Sequence, residues 1–434
     1  MNKATFTNVL KNGINHSTPS VGKFSTETLK AYDEADTLKY MFTTLVFHPE
    51  NKTVEYFLKI FSFVRVKLKN RYFSEIPLKK IRIYPYKEIL RLLAVKFLSL
   101  TAADTIWEWT ELSFDKWVSN KLDKEVKIVH CYEHAALFTF KKAKDFGCFK
   151  ILEQVSQHHT HYKHIVENQF KLYPSLRSKY IEKISFKSIK KRNERKNKEY
   201  ELADLIICNS TFTMKTLIDA GINKSKIIKI PLAYPETNQQ SKKNTLPGRF
   251  TFTCVGSISL TKGTHILINV WRKHFSDFTN IKLILAGTVS LPREYLSNLP
   301  PNIEFRGFVN KDQLDDIYGE SDLLVFPTLG DGFGMVITEA MAKGIPVLTT
   351  NNSAGYDLIE DGKDGFIIEA GSEDALAKKM LWILKNKPIL PKMSELVIQK
   401  ARKYQWLDYR KLLIEEVETR YLEFMSKIKS LDNY

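Results

Sequence analysis

The 434-residue chain has few cysteines and no long uncharged apolar run. No Cys-x-x-Cys pair occurs, so the sequence indicates neither a disulfide framework nor a thiolate zinc site. The four cysteines are Cys131, Cys148, Cys208 and Cys254. No segment of about 18 uncharged apolar residues is present, and the first residues, MNKATFTNVLKNGINHST, lack a secretory-type apolar stretch. We therefore expect a cytoplasmic chain that does not span a membrane.

The composition favours a large folded protein. Hydrophobic residues make up 43% of the chain and aromatic residues 12%, which argues against disorder. A chain of this length can bury a large core and is expected to divide into two domains. The formal net charge of +17 permits attraction to nucleic acid, anionic lipid or acidic substrates.

Two segments concentrate the positive charge. Lys187 to Lys198, KSIKKRNERKNK, is predicted to be a solvated helix face. In Phe57 to Phe73, FLKIFSFVRVKLKNRYF, apolar and basic residues interleave, which fits a buried amphipathic helix or a helix on an anionic membrane surface. The chain has no zinc-finger spacing, RNA-binding aromatic consensus or heptads, so nucleic acid is not an expected partner.

Apolar strands alternate with amphipathic stretches from Phe250 onward. This alternation predicts a parallel sheet wrapped by helices, a Rossmann-like α/β domain over 249–405 with its ligand site at the carboxyl ends of the strands. The segments, in order, are FTFTCVG, HILINVWRKHF, IKLILAG, IEFRGFV, KDQLDDIYG, DLLVF, a glycine-led helix, IPVLTT, GFIIEA and DALAKKMLWILKN.

The first half is less regular, and a second Rossmann-like domain is predicted over 1–233. Its expected strands are Thr43 to Phe47, Lys127 to Tyr132, Lys150 to Val155 and Leu205 to Asn209. Its expected helices are Lys87 to Ala103 and Phe114 to Leu122. A polar linker marked by Pro231, Pro235 and Pro247 separates the halves. Residues 406–434 form a predicted helix, long enough to pack back across both domains.

The stretch FPTLGDGFGMVITEAMAKGIP, residues 326–346, says most about function. A strand ending at Phe326 leads into a glycine loop and then a helix over Met335 to Lys343. The unpaired N–H groups and the positive dipole end at such a helix start favour an anion, typically a phosphate. Glu339, one turn inside, would repel phosphate but can accept hydrogen bonds from hydroxyls. Phosphate beside a polyol indicates a nucleotide or a nucleotide sugar.

Five blocks of the second half resemble, in the same order, the nucleotide-sugar domain of glycosyltransferase family 4. They are VGSISLTKG at 255–263, LILAG, GFV, the 326–346 stretch and DLIEDGKDGFIIEAGSEDALA. In the first half, HCYEHAALFTFKKAKDFG, the stretch ending ELADLIICNST, and KIIKIPLAYPE are also similar to that family. The resemblance implies a GT-B fold, in which two doubly wound Rossmann-like domains face a cleft. It also implies transfer of a sugar from a nucleotide diphosphate donor, with retention of configuration and without a tightly bound cofactor or metal.

The resemblance implies donor contacts around the loop that follows Phe250 to Val255. Lys262 lies where the family's diphosphate-binding lysine falls, and a cation there would stabilise the leaving phosphate. A plain loop lysine is the alternative. Gly256 and Ser257 belong to the same donor site. Family members commonly carry an arginine in place of Ser257, and a hydroxyl cannot supply that forked, charged contact.

The glycine loop supplies the other donor residues that the resemblance implies. Glu339 matches the second carboxylate of the family's Glu-x7-Glu pattern, which accepts hydrogen bonds from ribose hydroxyls. Asp331 holds the first position, where a glutamate that contacts the transferred sugar is usual; its side chain is shorter by one methylene, about 1.5 Å of reach. Backbone N–H groups at the sugar and phosphate are assigned to Gly332, Phe333, Gly334 and Met335. A purely structural turn and an exposed helix glutamate are the alternatives.

Four further positions are assigned less directly. Phe308 is a donor-binding residue by its place in the GFV block, and Arg306 is a cation near the expected base pocket. The family also places a histidine after a central strand of the first domain, facing the donor sugar. The Ser-x-His in KILEQVSQHHTHYKH makes His158 the first choice, with a surface histidine run or a metal site as alternatives. Glu133 is assigned to the acceptor side, with a structural helix cap as its alternative.

Together these features predict a retaining glycosyltransferase of cell-surface polysaccharide biosynthesis, with Asp331, His158 and Lys262 as catalytic residues. Its expected partners are a nucleotide sugar and a glycan or lipid-linked acceptor, and attachment to the inner face of the membrane is a separate hypothesis. The Asp-x-Asp motif of metal-dependent glycosyltransferases of the other common fold does not occur, which favours a metal-independent reaction. The alternatives are a non-catalytic nucleotide-sugar-binding protein, a GT-B sugar-nucleotide epimerase and a basic nucleic-acid-binding protein.

Overall fold

The computed structural model describes residues 10–50, 71–177, 179–182, 189–237 and 248–432. Two parallel sheets, each flanked by helices, account for most of these residues. Within the described ranges, no helix is both long and apolar enough to cross a bilayer. All four cysteines are free and buried.

Seven strands form the first sheet. They are β1 (Ile14–Ser17), β2 (Leu38–Thr43), β3 (Ile81–Ile83), β4 (Ile128–Tyr132), β5 (Phe149–Gln154), β6 (Leu205–Cys208) and β7 (Ile227–Lys229). Their order across the sheet is β3-β2-β1-β4-β5-β6-β7, and every pair is parallel. The order reverses between β1 and β4, so the crevice at their carboxyl ends is the place where open α/β sheets bind ligands.

Helices of the first half cover both faces of this sheet. They are α1 (Lys23–Glu34), α2 (Pro85–Phe97), α3 (Leu100–Ser119), α4 (Leu137–Asp145), α5 (His159–Leu172), α6 (Lys179–Glu182), α7 (Ile189–Leu202) and α8 (Thr211–Asp219). Side-chain caps fix several of their starts: Ser99 accepts from Ala102 N at α3, and Ser210 accepts from Thr213 N at α8. Such caps satisfy N–H groups that the first helical turn leaves unpaired.

Six strands form the second sheet. They are β8 (Phe250–Val255), β9 (Ile281–Ala286), β10 (Ile303–Gly307), β11 (Leu323–Phe326), β12 (Val347–Thr350) and β13 (Phe366–Ile368). The order is β10-β9-β8-β11-β12-β13, again all parallel. The order reverses between β8 and β11, so the loops that follow these two strands meet at one crevice. Strands β8, β11 and β12 are buried along their whole length, as expected for apolar runs in a sheet covered on both faces.

The helices of the second half follow the strands in alternation. They are α9 (Thr264–His274), α10 (Lys311–Glu320), α11 (Met335–Ala342), α12 (Gly355–Leu358), α13 (Glu373–Lys385), α14 (Leu390–Lys403) and α15 (Trp406–Asp432). Helix α10 begins with a capping box between Asn310 and Gln313, and Ser372 caps α13. The alternation of strands and helices predicted from Phe250 onward is therefore confirmed.

The last helix, α15, returns to the first sheet. Tyr409 Oη lies 2.9 Å from Thr28 Oγ1 of α1, and Arg410 forms ion pairs with Glu27 and Glu34 of the same helix. Farther along, the rings of Phe149 and Phe424 lie 5.0 Å apart. The C-terminal helix thus packs against the N-terminal half of the chain.

Two segments of the first half differ from the expected structure. A strand is predicted over Thr43 to Phe47, but β2 occupies Leu38–Thr43 and shares only Thr43 with that range. The helix predicted over Lys87 to Ala103 is two helices, because the chain is extended at Leu98 and Ser99. The predicted helix Phe114 to Leu122 overlaps only the last part of α3, which ends at Ser119.

The described part of the basic run Lys187 to Lys198 is solvated on one side only, where Lys190, Lys191 and Lys198 are exposed. Arg192, Arg195 and Lys196 of α7 are buried. Arg192 bonds to Asp104 and Glu108 of α3, so part of the charge is neutralised inside the fold. Most of the other basic segment, Phe57 to Phe73, lies outside the described residues, as does much of the proline-marked linker.

Candidate active site

Two loops meet at the crevice between β8 and β11. One follows β8 and contains Lys262; the other follows β11 and contains the glycine loop. Leu329 N donates to Thr261 O at 2.8 Å, and Thr328 Oγ1 donates to the same carbonyl at 3.1 Å. Gly263 has φ 66°, and a Cβ there would lie 2.0 Å from Pro327 O. Only glycine permits this approach, which fixes Lys262 beside the second loop.

Lys262 and Asp331 form an ion pair at this junction. The Lys262 ammonium donates to Asp331 Oδ2, and both side chains are partly exposed. The other carboxylate oxygen, Oδ1, accepts from Phe333 N at 3.1 Å, and Asp331 N donates to Asn352 O at 3.0 Å. The predicted cation and the predicted sugar-binding carboxylate are therefore in direct contact. Phosphate could compete for this ammonium, since phosphate is also a strong acceptor for lysine.

Helix α11 begins at the end of the glycine loop. Its N-cap residue, Gly334, has φ 81°, and a Cβ there would lie 2.8 Å from Cε1 of Phe326. The sharp turn thus requires glycine. Met335 is the first helical residue, so the unpaired N–H groups of this helix start are at the loop that carries Asp331. This geometry suits an anion next to Lys262.

Glu339 lies on α11, one turn inside the helix. Burial raises the pKa of its carboxyl, and the hydrogen bond from Tyr318 opposes that shift. Tyr318 Oη donates to Glu339 Oε2 at 3.0 Å. A carboxylate held in one orientation by a single hydrogen bond keeps further lone pairs for neutral O–H donors. This is the chemistry expected of a ribose-binding carboxylate.

The remaining residues that the sequence predicts to bind the donor lie at strand ends. Gly256 and Ser257 follow β8 and are half-buried. Phe308 follows β10, and its side chain is 75% exposed, so its ring is available for contact with a flat ligand. Arg306 instead forms ion pairs with Glu304 and Glu320. Its guanidinium thus already has carboxylate partners.

The glycine loop also contacts the N-terminal half of the protein. A Cβ on Gly332 would lie 1.9 Å from Val155 O, which follows β5. The carbonyl of Gly332 accepts from Ser210 Oγ and, at 3.1 Å, from Thr213 Oγ1 of α8. Ser210 and Thr213 were not among the predicted site residues. Ser210 follows the strand in ELADLIICNST, a position typical of a helix cap that does not by itself reveal a second partner, and Thr213 carried no signal.

His158 lies in the same loop after β5 as Val155 but is turned into its own half of the protein. It caps α5, where Nδ1 accepts from Thr160 N at 3.3 Å. The ring packs on His159 at 4.0 Å and on Tyr200 at 5.3 Å between centroids. Burial lowers its pKa to about 3, so the imidazole is neutral at pH 7. Among the described residues, no hydrogen bond joins it to Lys262 or Asp331.

The other histidines of this cluster have separate surroundings. His159 pairs with Asn197 and His164 with Asn168, whereas the His161 ring lies edge-on to Phe212. Within the described ranges, no group of three or more His, Cys, Asp or Glu side chains is arranged to hold a metal ion.

Glu133 is buried at the end of β4 and belongs to a polar network. Its carboxylate accepts from Ser156 Oγ at 2.6 Å and from Gln154 Nε2 at 3.1 Å, and Lys196 Nζ lies 2.8 Å away. A different acid, Glu199, accepts from His134 N and Ala136 N just before the next helix. Glu133 is thus held beside the loop after β5 that contacts Gly332.

A pocket of about 400 Å³ lies on the same edge of the first sheet. It is formed by the loop after β1, the start of α1, the segment after β2 and residues 71–73. Its charged lining residues are Lys23 and Arg71. Sequence reasoning missed this pocket because its walls come from segments far apart in the chain.

Comparisons with known proteins agree with this architecture. Residues 236–404 match the family model described as "Glycosyl transferases group 1". The capsular polysaccharide biosynthesis glycosyltransferase CapM of Staphylococcus aureus is 29% identical over 216 residues, 48% of this chain and 55% of that protein. Mannosylfructose-phosphate synthase of Agrobacterium fabrum is 24% identical over 245 residues, 51% of this chain and 54% of that protein. The chain thus spans about half the length of these curated relatives.

Solved structures match nearly the whole chain. Anabaena Alr3699/HepE in complex with UDP has a TM-score of 0.60 at 15% identity, covering 94% of this chain and 99% of that one. Sucrose-phosphate synthase from Thermosynechococcus elongatus has a TM-score of 0.63 at 15% identity, with the same coverage. These similarities, together with the two parallel sheets, confirm the predicted GT-B fold. The family match confirms the resemblance drawn from the sequence.

Proposed function

We propose that this protein transfers a sugar from a nucleotide diphosphate sugar to a glycan or lipid-linked acceptor, because residues 236–404 match the group 1 glycosyltransferase model and the chain has the GT-B fold. One observation carries the proposal: at the switch point of the second sheet, Lys262 pairs with Asp331 in the loop that leads into the helix carrying Glu339. The similarity to a capsular polysaccharide glycosyltransferase supports a role in cell-surface polysaccharide synthesis. Under this proposal, residues 249–405 bind the donor, 1–233 face the acceptor, and 406–434 tie the two together.

The donor diphosphate would lie between Lys262 and the start of α11. Negative charge grows on the leaving phosphate as the glycosidic bond breaks, and a fixed ammonium and helix start stabilise that charge. The phosphate would replace Asp331 as the partner of Lys262. Asp331 would then be free to accept a hydroxyl of the transferred sugar, while Glu339 accepts the ribose hydroxyls.

We assign the reaction to front-face displacement with retention of configuration. The leaving phosphate helps to deprotonate the acceptor hydroxyl, and no metal ion is required because Lys262 and the helix start supply the positive charge. His158 is buried and neutral, so its part is that of a neutral positioning group on the loop that contacts Gly332. Glu133, on the same side, and the pocket lined by Lys23 and Arg71 are the acceptor side of the cleft.

A thermal-shift panel tests the donor site. UDP, GDP, ADP and their glucose conjugates are added to the wild type, to Glu339→Ala and to a matched control, Glu423→Ala, which removes an exposed helix carboxylate of α15. We expect one nucleotide series to stabilise the wild type and the control but not Glu339→Ala. If no nucleotide stabilises the wild type, or if Glu339→Ala responds like the control, the donor-site assignment is wrong.

A turnover assay separates transfer from the alternatives. The nucleotide sugar selected by the panel is incubated with the enzyme and a short water-soluble glycan, and the anomeric configuration of the product is read by NMR. Transfer with retention supports the proposal. Binding without turnover indicates a non-catalytic nucleotide-sugar-binding protein, and a changed sugar on an intact nucleotide indicates an epimerase.

A further inference from the structure

Helix α8 of the first half begins at a contact with the second half. Asp357 of α12 supplies a carboxylate that accepts from Thr211 N at 2.8 Å and from Thr211 Oγ1 at 2.5 Å. Lys229, the last residue of β7, donates from Nζ to the same carboxylate at 2.6 Å. Within the part of the chain that the structure describes, every donor to this carboxylate therefore belongs to the first half.

The carboxylate of Asp357 is enclosed by this contact. Its side chain is only 4% exposed, and a buried carboxylate is stable only where a cation and hydrogen-bond donors replace its lost water. The N–H of Thr211 is one of those that the first turn of α8 leaves unpaired, and the positive dipole end of the helix also favours a negative charge. The two halves are thus joined by a contact that is matched in charge and in hydrogen bonding.

The same helix start holds the glycine loop directly. Ser210 Oγ and Thr213 Oγ1 both donate to the carbonyl of Gly332, and neither side chain is exposed to solvent. A carbonyl oxygen has two lone pairs, so α8 uses the full acceptor capacity of this one. The start of α8 therefore fixes the backbone of the glycine loop one residue after Asp331.

Asp357 is connected to the glycine loop by a second route. The segment between β12 and α12 is bonded to the loop, because Asp331 N donates to Asn352 O at 3.0 Å. Two residues later, Ala354 N donates to Phe333 O at 3.1 Å. Asp357 N in turn donates to Ala354 O at 2.9 Å. The first half thus holds the glycine loop both through Gly332 and through the segment that ends at Asp357.

We propose that Asp357 is a positioning residue for the donor site, acting with its partners Thr211 and Lys229. Through these contacts, the first half holds the glycine loop in the conformation that places Asp331 and the start of α11 next to Lys262. A loop that is ordered before its ligand arrives avoids the cost of ordering it on binding. Loss of the Asp357 carboxylate should therefore loosen the loop and weaken the binding of a nucleoside diphosphate. The second of these effects rests on the proposed function.

Three variants of the full chain test this proposal against a purely structural role. The test variants are Asp357→Ala and Lys229→Met, and the matched control is Asp364→Ala. The side chain of Asp364 is also 4% exposed, and its partner Lys400 is 34% exposed where Lys229 is 32% exposed. Both members of the control pair lie in the second half. Circular dichroism and thermal melts check that each variant is folded and how much stability it has lost.

Hydrogen exchange, measured by mass spectrometry, reports on the loop without any ligand. The backbone amides of residues 328–334 should exchange at least about tenfold faster in Asp357→Ala than in the wild type, because local opening becomes easier when an attachment is lost. Lys229→Met should act in the same direction by a smaller factor, since Thr211 still bonds to the carboxylate. Asp364→Ala should exchange at the wild-type rate, whatever stability it loses.

Equal exchange of residues 328–334 in Asp357→Ala and Asp364→Ala overturns the proposal. If Asp357→Ala does not fold, Lys229→Met decides in its place, and a wild-type exchange rate in that variant overturns the proposal.

Isothermal titration with UDP, GDP or ADP, whichever the thermal-shift panel selects, tests the effect on the donor. The Kd should rise about tenfold in Asp357→Ala, a coupling of the size found between linked sites, and it should stay at the wild-type value in Asp364→Ala. Equal Kd values for the two variants overturn the positioning role at the donor site. If no nucleoside diphosphate binds the wild type, the proposed function fails, and the exchange rates alone decide whether Asp357 positions the loop.

Discussion

The two sheets of this protein share a topology but differ in what their strands bury. Strands β8, β11 and β12 of the second sheet are largely apolar runs, and the charged groups of the candidate site lie in the loops at their carboxyl ends and on the helix that follows β11. In the first sheet, polar and titratable residues lie inside the strands. Asn15, His16 and Ser17 of β1 are all buried. In the second sheet, core residues and site residues therefore lie in different segments of the chain. In the first sheet, the strands themselves carry buried polar residues.

A hydrogen-bonded chain runs through the core of the first sheet. Tyr32 Oη lies 2.8 Å from His130 Nδ1, and His130 Nε2 lies 2.9 Å from Glu153 Oε2. Burial raises the pKa of Glu153 to about 8 and lowers that of His130 to about 3. At neutral pH, both groups are therefore uncharged, which avoids the cost of a charge in the interior. A polar group left without a hydrogen-bond partner in such a core costs more free energy than an apolar group in the same place.

The largest effect should come from the second sheet's site. Lys262→Ala should lower kcat by about 10²- to 10³-fold, because it removes the cation that we propose stabilises the leaving phosphate. Steady-state kinetics on the soluble glycan measures this loss. Lys343→Ala, which removes a lysine paired with Asp315 on the same domain, should retain wild-type kcat. Equal rates for Lys262→Ala and the wild type would refute the role of Lys262.

The contact between the two halves should be next most sensitive. Gly332→Ala places a methyl group against the carbonyl of Val155 and should cost about 1–3 kcal/mol of stability, as overpacking generally does. Chemical denaturation measures the loss. Thr213→Val deletes one donor to the Gly332 carbonyl without adding bulk, so its effect should be smaller. A larger loss in Thr213→Val than in Gly332→Ala would contradict this view of the contact.

The polar core of the first sheet should make stability fall with rising pH. The pKa of Glu153 in the folded protein, about 8, lies above its unfolded value of about 4.3. The stabilising contribution of the retained proton is thus fully present below about pH 4.3 and is lost as pH rises through about 8. Glu153→Gln keeps a neutral side chain at every pH. Thermal melts at pH 6 and pH 9 should show a smaller fall in Tm for Glu153→Gln than for the wild type. Equal falls would contradict the retention of a proton by Glu153 in the folded protein.

The smallest effect should come from an exposed ion pair beside the second sheet. Arg306→Gln removes the contacts with Glu304 and Glu320, and such partly exposed pairs are worth little, so stability should change by about 0.5 kcal/mol or less. The shift in Tm given by the selected nucleotide should also be unchanged. A weakened nucleotide response would show that Arg306 leaves its carboxylates to bind the donor.

The two sheets also differ in how well the sequence predicts them. The strands from β8 to β13 and the loop around Asp331 were predictable because apolar periodicity and glycine positions mark them clearly. Strand β1 was missed because INHS carries no apolar alternation, although all four residues are buried. The orientation of α2 could not be predicted, because the partner that turns its charged side inward, Arg71, lies in another segment. The ion pair of Lys262 with Asp331 depends on a loop contact that only the fold creates.

Helix α15 has a consequence for the order in which the protein is made. The core of the first sheet includes Tyr409, Leu413, Val417 and Tyr421, which pack with residues such as Ile14 and Leu29. During synthesis, the ribosome releases the first sheet long before it releases these residues. The N-terminal half therefore keeps part of its apolar surface uncovered until the second half has emerged and the last helix has packed against it. A nascent chain stalled after α14 should consequently bind chaperones that recognise exposed apolar surface.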